Sequence, residues 1–283
     1  MSVVIANCNG KSMLRPCLSA LAKHGKGVEV IVVDNGSSDG SRQMVEDLFP
    51  GVVLEKNREN MGFAKASNQG IRRASGEFVV LMNNDVEVGP GWQAGLLDAA
   101  RQGKAGIAGG KLLFPDGRIQ HAGCMVRPWG IERIGYGERD DGRFDARREV
   151  DYVTGALMLV KREVIEKIGL LDEEFSPAYY EETDYCWRAR KAGFRVVYAP
   201  ETVAIHGESG TSAGLGGRFY LREKNRVRFM LKNYPVGWLL AAAPFEFARF
   251  LASFPLLRTG SFLRAYCHNF SRLPGILEAR QTA

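Results

Sequence analysis

Three carboxylates, those of Glu181, Glu182 and Asp184, stand within four consecutive residues of the chain. A packed core does not require so many negative charges together, whereas an enzyme that moves a proton beside a metal ion or a phosphate does. Repulsion between adjacent carboxylates raises the pKa of one of them, which gives a better general base near neutral pH. The cluster therefore predicts acid–base chemistry, with Glu182 projecting differently from the face that Glu181 and Asp184 share.

The same cluster also has a structural interpretation. The predicted helix covers 181–192, and Gly193 follows in the position that is typical of a C-terminal helix cap. Acids in a first helical turn stabilise the helix by roughly 0.3–1 kcal/mol each, because they oppose the positive end of its dipole. Asp184 also precedes Arg188 by four residues, which is the spacing of an ion pair on one helix face.

Further polar side chains follow predicted strands upstream. Asp34 comes directly after an apolar run, where a carboxylate can accept hydrogen bonds from a base or a ribose. The alternative is that Asp34 or Ser38 only caps the next helix. The glycines and serines after Asp34 lack the lysine pattern of a phosphate-binding loop.

A candidate metal site follows the wholly apolar run 78–82. Asp85, with the amide of Asn83 beside it, suits Mg²⁺ or Mn²⁺, because both cations prefer oxygen ligands and accept phosphate oxygens as well. His206 ends a later strand-like run and is a second candidate ligand. The alternatives are an Asn/Asp turn for the first segment and a structural role for the histidine.

The elements that would position these residues alternate between strand and helix. The pattern predicts an α/β fold whose central sheet is mainly parallel and flanked by helices. Strands are predicted at 3–7, 28–34, 52–55, 78–82, 105–110, 152–160 and 195–199, and helices at 12–24, 43–49, 64–74, 97–100, 162–168 and 181–192. Ligands of such sheets bind at the carboxyl ends of strands, where Asp34 and Asp85 fall. The Gly-, Arg- and Asp-rich composition of 114–148 predicts a long loop or ribbon.

The C-terminal quarter of the chain has a different character. Residues 218–283 carry a net charge of +8, whereas the whole chain carries +6. The apolar segment 236–257 contains Pro244 and Glu246, which argue against a membrane-spanning helix. Apolar helices with flanking arginines and aromatic residues predict a helical appendage lying on a membrane surface. The alternative is a helical pair packed on the body.

Bulk composition excludes other classes of protein. The five cysteines are scattered and include no CxxC pair, so we expect reduced thiols rather than a zinc site or a disulfide framework. The N-terminus enters an apolar run directly, which is not the pattern of a signal peptide. The glycine-rich segment 210–217 predicts a mobile loop over the substrate or a linker to the appendage.

Five segments, taken in order, resemble family 2 glycosyltransferases, which have the GT-A fold. They are VVIANCNG at 3–10, VDNGSSDGS at 33–41, NRENMGFAKASNQGI at 57–71, LMNNDVEV at 81–88 and YEETDYCWRARKAG at 180–193. GGKLLFPDGRIQHAG at 109–123 is similar to a subgroup of rhamnosyltransferases that assemble cell-surface polysaccharides.

The resemblance implies an inverting transfer of a sugar from a nucleoside diphosphate sugar, dTDP-rhamnose or a UDP-sugar, to a hydroxyl of a glycan or lipid-linked acceptor. It implies nucleotide-sugar binding by Asp34, Asn35, Asn60, Asn83 and Asn84. It also implies a divalent cation, Mg²⁺ or Mn²⁺, on Asp85 and His206, and a catalytic set of Glu182 as the base with Glu181 and Asp184 tuning it or binding the acceptor. The implied location is the cytoplasmic face of the cell membrane, with no nucleic acid as partner.

Departures from the family pattern leave alternatives. Only the last acid of the metal-binding motif is present, as Asp85, and the base is a glutamate with a longer reach. A sugar-nucleotide nucleotidyltransferase should carry a glycine-rich, arginine-containing loop after its first strand, which 6–13 matches poorly. A non-catalytic membrane or nucleic-acid binding module leaves the acids at the strand ends unexplained. We expect a catalytic domain at 1–217 and a basic appendage at 218–283.

Overall fold

Strands and helices alternate through the first half of the chain. The computed structural model describes residues 1–207, 215–255 and 258–282. Its first elements are β1 Ser2–Asn7, α1 Lys11–His24, β2 Glu29–Asn35, α2 Ser41–Leu48, β3 Val53–Asn57, α3 Phe63–Arg73 and β4 Phe78–Asn83. β1 pairs in parallel with both β2 and β4, and β2 pairs in parallel with β3. Parallel pairing requires a crossover between strands, and α1, α2 and α3 supply it.

The second half completes a ten-stranded mixed sheet. The elements of this half of the chain are β5 Val86–Val88, α4 Trp92–Arg101, β6 Ala105–Leu113, β7 Ile119–His121, β8 Cys124–Arg127, β9 Gly130–Arg133, β10 Arg148–Glu149, β11 Leu157–Lys161, α5 Arg162–Ile168, a short 3-10 helix Glu173–Phe175, α6 Glu181–Lys191 and β12 Arg195–His206. β8 and β9 form a separate two-stranded sheet. The strand order is β10-β12-β6-β11-β4-β1-β2-β3, with β5 on β12 and β7 on β6. β11 runs antiparallel to both its neighbours, β4 and β6. The predicted α/β fold with a central sheet flanked by helices is confirmed. The sheet is mixed: β1 to β4 pair in parallel, as do β6 and β12, whereas β5, β7, β10 and β11 pair antiparallel.

The sheet has a hydrophobic core on each face. Val4 and Leu81 belong to the core that also contains α3 and α6, whereas Ile5 and Met82 belong to the core under α1 and α4. Neighbouring residues of one strand fall on opposite faces because side chains alternate along a strand. The central strands are therefore apolar throughout, and polar residues are left to their ends.

Two predicted strands differ from the structure by five residues or more at one end, whereas the others agree within three. β11 begins at Leu157 instead of residue 152, because Tyr152 forms only an isolated bridge with Cys124 and 155–156 form a turn. β12 extends past the predicted end at 199 and reaches His206, which pairs with Val86 of β5. The predicted ribbon within 114–148 contains β7 and the two-stranded sheet of β8 and β9. The predicted loop 210–217 lies largely outside the described residues.

Four helices follow the sheet: α7 Leu215–Asn233, α8 Val236–Ser253, α9 Thr259–Phe270 and α10 Leu273–Thr282. α7 packs on the body, where the Asn225 amide donates to the carbonyl oxygens of Ala178 and Tyr179 at 2.8 and 2.9 Å. Aromatic contacts join Trp187 of α6 to Phe229 of α7. The predicted division between 217 and 218 therefore falls inside α7, a helix that packs on the rest of the fold.

Candidate active site

Asp34 orders the loop that follows β2. Its carboxylate is buried and accepts hydrogen bonds from Arg42 Nε at 2.6 Å, the Ser37 backbone N–H at 3.0 Å and the Asn7 amide at 3.3 Å. Contact with a nucleotide would require one of these neighbours to move. The predicted contact between Asp34 and a base stays a prediction, and the carboxylate shapes the loop that would surround the nucleotide.

Asn35 and Asn60 tie that loop to the segment before α3. The Asn35 amide donates to Asn60 Oδ1 at 2.8 Å and to the Gly62 carbonyl at 3.2 Å, and its oxygen accepts from the Met61 backbone N–H at 3.0 Å. Asn60 Oδ1 also accepts from the Gly62 backbone N–H at 3.0 Å. The two predicted nucleotide-binding amides thus form one edge of a shared network.

Asn84, which follows β4, extends this network of side-chain hydrogen bonds. Its amide donates to Asn7 Oδ1 at 2.8 Å, and Asn7 in turn contacts Asp34. A Cβ at Gly10 would lie 2.2 Å from Asn84 Nδ2 and 2.6 Å from Asn7 Oδ1, so only glycine leaves room for this contact. The ends of β1, β2 and β4 are therefore joined by side-chain hydrogen bonds.

Asp85 and His206, predicted as metal ligands, lie side by side. Asp85 Oδ1 is 3.1 Å from His206 Nε2, and Asn83 Nδ2 is 3.2 Å from the same nitrogen. β5 and β12 create this proximity, because His206 pairs with Val86, the residue after Asp85. Asn83, Asp85 and His206 are thus brought together as the sequence predicts.

The donor set of Asp85 and His206 fits a divalent cation. A carboxylate oxygen and an imidazole nitrogen are ligands for Mn²⁺, and the oxygen also suits Mg²⁺. Within 1–207, 215–255 and 258–282 there is no group of three or more His, Cys, Asp or Glu side chains that could hold a metal ion. Two protein ligands are compatible with such cations, which usually keep waters and bind substrate phosphates.

Glu181 and Glu182 open α6 with an unsatisfied carboxylate oxygen each. Oε2 of both side chains is buried without a hydrogen-bond partner. Burial raises the pKa of Glu181 well above its usual range, and the neighbouring charge of Glu182 raises it further. Burial also raises the pKa of Glu182, while backbone N–H groups and Arg133 oppose that rise. The pair therefore holds protons more tightly than ordinary carboxylates do.

Gly155 and Ala156 connect the glutamate pair to the end of β4, which precedes Asp85. A Cβ at Gly155 would lie 3.5 Å from Glu182 Cβ, so the glutamate stands against this turn. The next carbonyl, that of Ala156, accepts a hydrogen bond from the Asn83 backbone N–H at 3.0 Å. Glu182 therefore lies at the same edge of the sheet as Asn83 and the residues that follow it.

Asp184 does not join the glutamates. Its buried carboxylate accepts from Arg188 Nε at 2.8 Å, from Lys232 Nζ at 2.9 Å and from the Asn233 amide at 2.9 Å. The ion pair with Arg188 that the helical spacing predicts is present, but it is buried. These contacts favour a structural role between α6 and α7 over the predicted catalytic one.

More than half of the chain matches a single family. Residues 2–169 match the family model described as "Glycosyl transferase family 2". The protein belongs to glycosyltransferase family 2. The site residues up to Asp85 lie inside the matched segment, whereas the glutamate pair and His206 lie beyond its end.

Two relatives of this glycosyltransferase carry assigned names. The O-antigen biosynthesis protein RfbC of Myxococcus xanthus is 28% identical over 223 residues, which cover 75% of this chain and 17% of RfbC. The N-acetylglucosaminyl-diphospho-decaprenol L-rhamnosyltransferase of Mycobacterium tuberculosis is 30% identical over 204 residues, which cover 63% of this chain and 66% of that enzyme. The chain thus spans only part of the length of each.

A solved structure shares the fold. The crystal structure of GalNAc-T7 with UDP, GalNAc and Mn²⁺ superposes with a TM-score of 0.65 at 18% identity, over 82% of this chain and 47% of that one. At this identity the likeness shows the fold alone. The family 2 glycosyltransferase described here has the predicted GT-A fold.

Several residues of the site were not predicted from the sequence. Asn7 bridges Asp34 to Asn84, and Gln120 contacts both the backbone carbonyl oxygen and the ring Nδ1 of His206. His121, which received no predicted role, is buried with its pKa lowered to about 3 by burial, and its Nε2 accepts from the Thr154 backbone N–H at 3.3 Å. Asn7 could have been found, since it ends β1, which lies between β2 and β4 and pairs Asn7 with Asp34.

A separate cavity of 630 Å³ lies outside this site. Its lining includes none of the predicted site residues. Two of its cations, Arg228 and Lys232, form ion pairs with Asp172. We therefore do not assign it to the active site.

Proposed function

We propose that this glycosyltransferase moves a sugar from a nucleoside diphosphate sugar to an acceptor hydroxyl, with inversion at the anomeric carbon. The observation that carries the proposal is the pair Glu181 and Glu182, each with one buried carboxylate oxygen that lacks a hydrogen-bond partner, at the sheet edge that also holds Asp85 and His206. Perturbed carboxylates beside candidate metal ligands are typical of sites that handle protons and phosphates.

Glu182 is the proposed general base. It takes the proton of the acceptor hydroxyl while that oxygen forms a bond to C1 of the donor sugar. The bond from C1 to the diphosphate oxygen breaks on the opposite face, and its electrons leave with the nucleoside diphosphate. Glu182 is partly exposed whereas Glu181 is only 4% exposed, which favours Glu182 as the residue that reaches the acceptor.

Asp85 and His206 are the proposed holders of a divalent cation. When bound, Mg²⁺ or Mn²⁺ would offset the negative charge that develops on the leaving diphosphate. Asn83 stands beside both residues, and Asn84 is linked through Asn7 to the loop of Asp34. These residues, with Asn35 and Asn60, are proposed to hold the nucleotide part of the donor.

The proposed acceptor is a lipid-linked glycan in cell-surface polysaccharide synthesis, and the proposed donor is dTDP-rhamnose or a UDP-sugar. The names of the Myxococcus and Mycobacterium relatives support this choice, because one refers to O-antigen and the other to transfer of L-rhamnose to a diphospho-decaprenol glycan. Membership of glycosyltransferase family 2 favours this function over a nucleotidyltransferase or a non-catalytic module.

The C-terminal helices are proposed to rest on the cytoplasmic face of the membrane. α8 exposes Val236, Leu240, Phe247 and Leu251, and Phe254 follows it directly; these side chains are between 52% and 71% accessible. Among the described helices, none is both long enough and apolar enough to cross a bilayer. Exposed apolar side chains on a segment of net charge +8 fit an anionic lipid surface.

The base assignment is tested by Glu182→Gln. We expect transfer to fall by about 10²–10⁴-fold, while Mn²⁺-dependent binding of UDP or dTDP is retained. Glu163→Gln is the control, because Glu163 is an exposed glutamate in the first turn of α5. Transfer at the control rate by the Glu182 variant would show that the base lies elsewhere.

A further inference from the structure

Gln120 of β7 contacts His206 at two points with a single amide. Gln120 Nε2 donates to the His206 carbonyl oxygen at 3.3 Å, and Gln120 Oε1 lies 2.5 Å from His206 Nδ1. Both residues are buried, at 8% and 9% exposure. A side chain that binds both the backbone and the ring of one residue fixes the position of that ring.

The carbonyl contact determines which way the amide points. A carbonyl oxygen can only accept a hydrogen bond, so the end of the Gln120 amide that faces it must be the NH₂ group. The other end is then the oxygen, which can only accept from His206 Nδ1. The usual ambiguity of amide and imidazole orientation is thus resolved by the network itself.

It follows that the proton of neutral His206 is on Nδ1 and the lone pair is on Nε2. Asp85 Oδ1 lies 3.1 Å from that nitrogen, and the Asn83 amide, 3.2 Å away, can donate to it. The Nε2 lone pair therefore accepts from Asn83 and also faces a carboxylate oxygen, and a cation shared by Nε2 and Oδ1 would replace the Asn83 contact. Two electron-pair donors at this distance are arranged to share a cation.

We infer that Gln120 is a positioning residue that holds His206 as the Nδ1–H tautomer, with Nε2 directed at a divalent cation shared with Asp85. The inference rests on the proposed metal site. Residues that hold a metal-binding histidine through its second nitrogen typically contribute 10–100-fold to metal affinity. Gln120 itself touches neither the proposed cation nor the substrate.

The tautomer is measured on the protein without metal, by ¹⁵N NMR of labelled histidines at a pH where the ring is neutral. The chain has four histidines, so His206 is assigned by comparison with His206→Asn. We expect Nδ1–H in the unmodified protein. Gln120→Met, which keeps the length of the side chain, should shift His206 toward the Nε2–H form that predominates in free imidazole side chains. Gln120→Glu retains an acceptor for Nδ1 and should keep the original tautomer.

Mn²⁺ affinity is measured on the same proteins by electron paramagnetic resonance, with and without UDP. Gln120→Met should weaken Mn²⁺ binding about 10–100-fold, and Gln120→Glu should restore it. His206 found as Nε2–H in the unmodified protein, or unchanged Mn²⁺ affinity in Gln120→Met, would overturn the inference. If the Met variant does not fold, the tautomers of the unmodified and Glu proteins decide the question. An Nδ1–H tautomer in a protein that binds no Mn²⁺ would instead reject the proposed metal site, so the two failures are distinguishable.

Discussion

Asp184 of α6 and Lys232 of α7 form a buried ion pair, with 2.9 Å between Lys232 Nζ and Asp184 Oδ1. The exposed fraction of the Asp184 side chain is 0%, and that of Lys232 is 4%. The helix that opens with the proposed catalytic glutamates is therefore bonded to the first C-terminal helix. Removal of 218–283 would leave Asp184 without two of its partners.

Asp184→Asn tests the structural role of this residue. Loss of the charge leaves Lys232 and Arg188 buried beside a neutral amide, so we expect a decrease of about 3–5 kcal/mol in the free energy of unfolding. Transfer per folded molecule should stay within several-fold of the unmodified rate, because the carboxylate faces α7. The measurements are chemical denaturation and turnover, the latter well below the melting temperature.

Asp98→Asn is the matched control for Asp184→Asn. The Asp98 side chain is 65% exposed and pairs with Arg147 at 2.8 Å, so its loss should cost no more than about 1 kcal/mol. If Asp184→Asn abolishes transfer in fully folded protein, Asp184 belongs to the catalytic set after all.

Glu181→Gln should behave differently from Glu182→Gln. The pKa of Glu181 is raised well above its usual range, by burial and by Glu182, so this carboxyl favours its protonated form, which glutamine resembles. We expect transfer by Glu181→Gln to stay within several-fold of the unmodified rate. Since Glu182 must be ionised and its pKa is raised by burial, transfer should fall as pH decreases, at a higher pH than for an ordinary glutamate. A pH–rate profile of both variants checks this assignment.

The same raised pKa predicts how stability depends on pH. A carboxyl with a folded-state pKa above its value of 4.5 in the unfolded chain stabilises the fold at low pH, and this contribution is lost as pH rises through the folded pKa. Glu181→Gln removes the effect. The melting temperature of the variant, relative to the unmodified protein, should therefore increase between pH 5 and pH 8. A constant difference over this range would show that Glu181 has an ordinary pKa.

The fold and the strand-end positions could be predicted because they depend on local pattern. Apolar runs such as 78–82 mark strands that are buried on both faces, and parallel strands place their carboxyl ends at one edge of the sheet. The proximity of Asp85 to the loop of Asp34 could therefore be predicted without knowledge of tertiary contacts. The alternation of strand and helix was sufficient for this part of the site.

The remaining part of the site depends on contacts between distant segments, which periodicity does not reveal. Gln120 lies in the irregular region 114–148, and only the pairing of β7 with β6 brings it to His206. The burial of Asp34 against Arg42 also depends on how the loop folds back. Asp184 could be interpreted as catalytic because its partners on α7 lie far along the chain.

Gly10→Ala tests the side-chain network beneath the proposed nucleotide site. The φ angle at Gly10 is −115°, which alanine adopts without strain, so the effect comes from the added methyl group. That group would lie 2.2 Å from Asn84 Nδ2 and would displace Asn84 from Asn7. We expect a loss of about 1–3 kcal/mol in stability and about tenfold weaker binding of UDP or dTDP, which corresponds to about 1.4 kcal/mol.

Gly51→Ala is the control for Gly10→Ala, because a Cβ at Gly51 has no neighbour within 4 Å. It should change stability by no more than about 0.5 kcal/mol. Calorimetric titration with the nucleotides measures both variants. Equal nucleotide affinity in the two proteins would place the nucleotide away from Asn84.

The exposed apolar side of α8 predicts binding to anionic vesicles. Leu240 and Phe247 are 71% and 64% exposed and stand seven residues apart, which places them on the same side of the helix. Burial of such a side chain stabilises by roughly 1.5–3 kcal/mol when complete. The double variant Leu240→Glu/Phe247→Glu should therefore weaken binding to phosphatidylglycerol vesicles by at least about tenfold in co-sedimentation.

Leu48→Glu is the control for the double variant. It distinguishes loss of a specific membrane-binding surface from a general loss of exposed apolar side chains. Leu48 is 51% exposed at the end of α2, far along the chain from the C-terminal helices, so this variant should bind vesicles as the unmodified protein does. Added salt should reduce binding in part, because the arginines attract anionic headgroups whereas the apolar contacts do not depend on salt. Equal binding by the double variant and the Leu48 control would exclude α8 as the lipid contact. A concentration-dependent dimer that the double variant abolishes would show instead that a second copy of the chain covers this face.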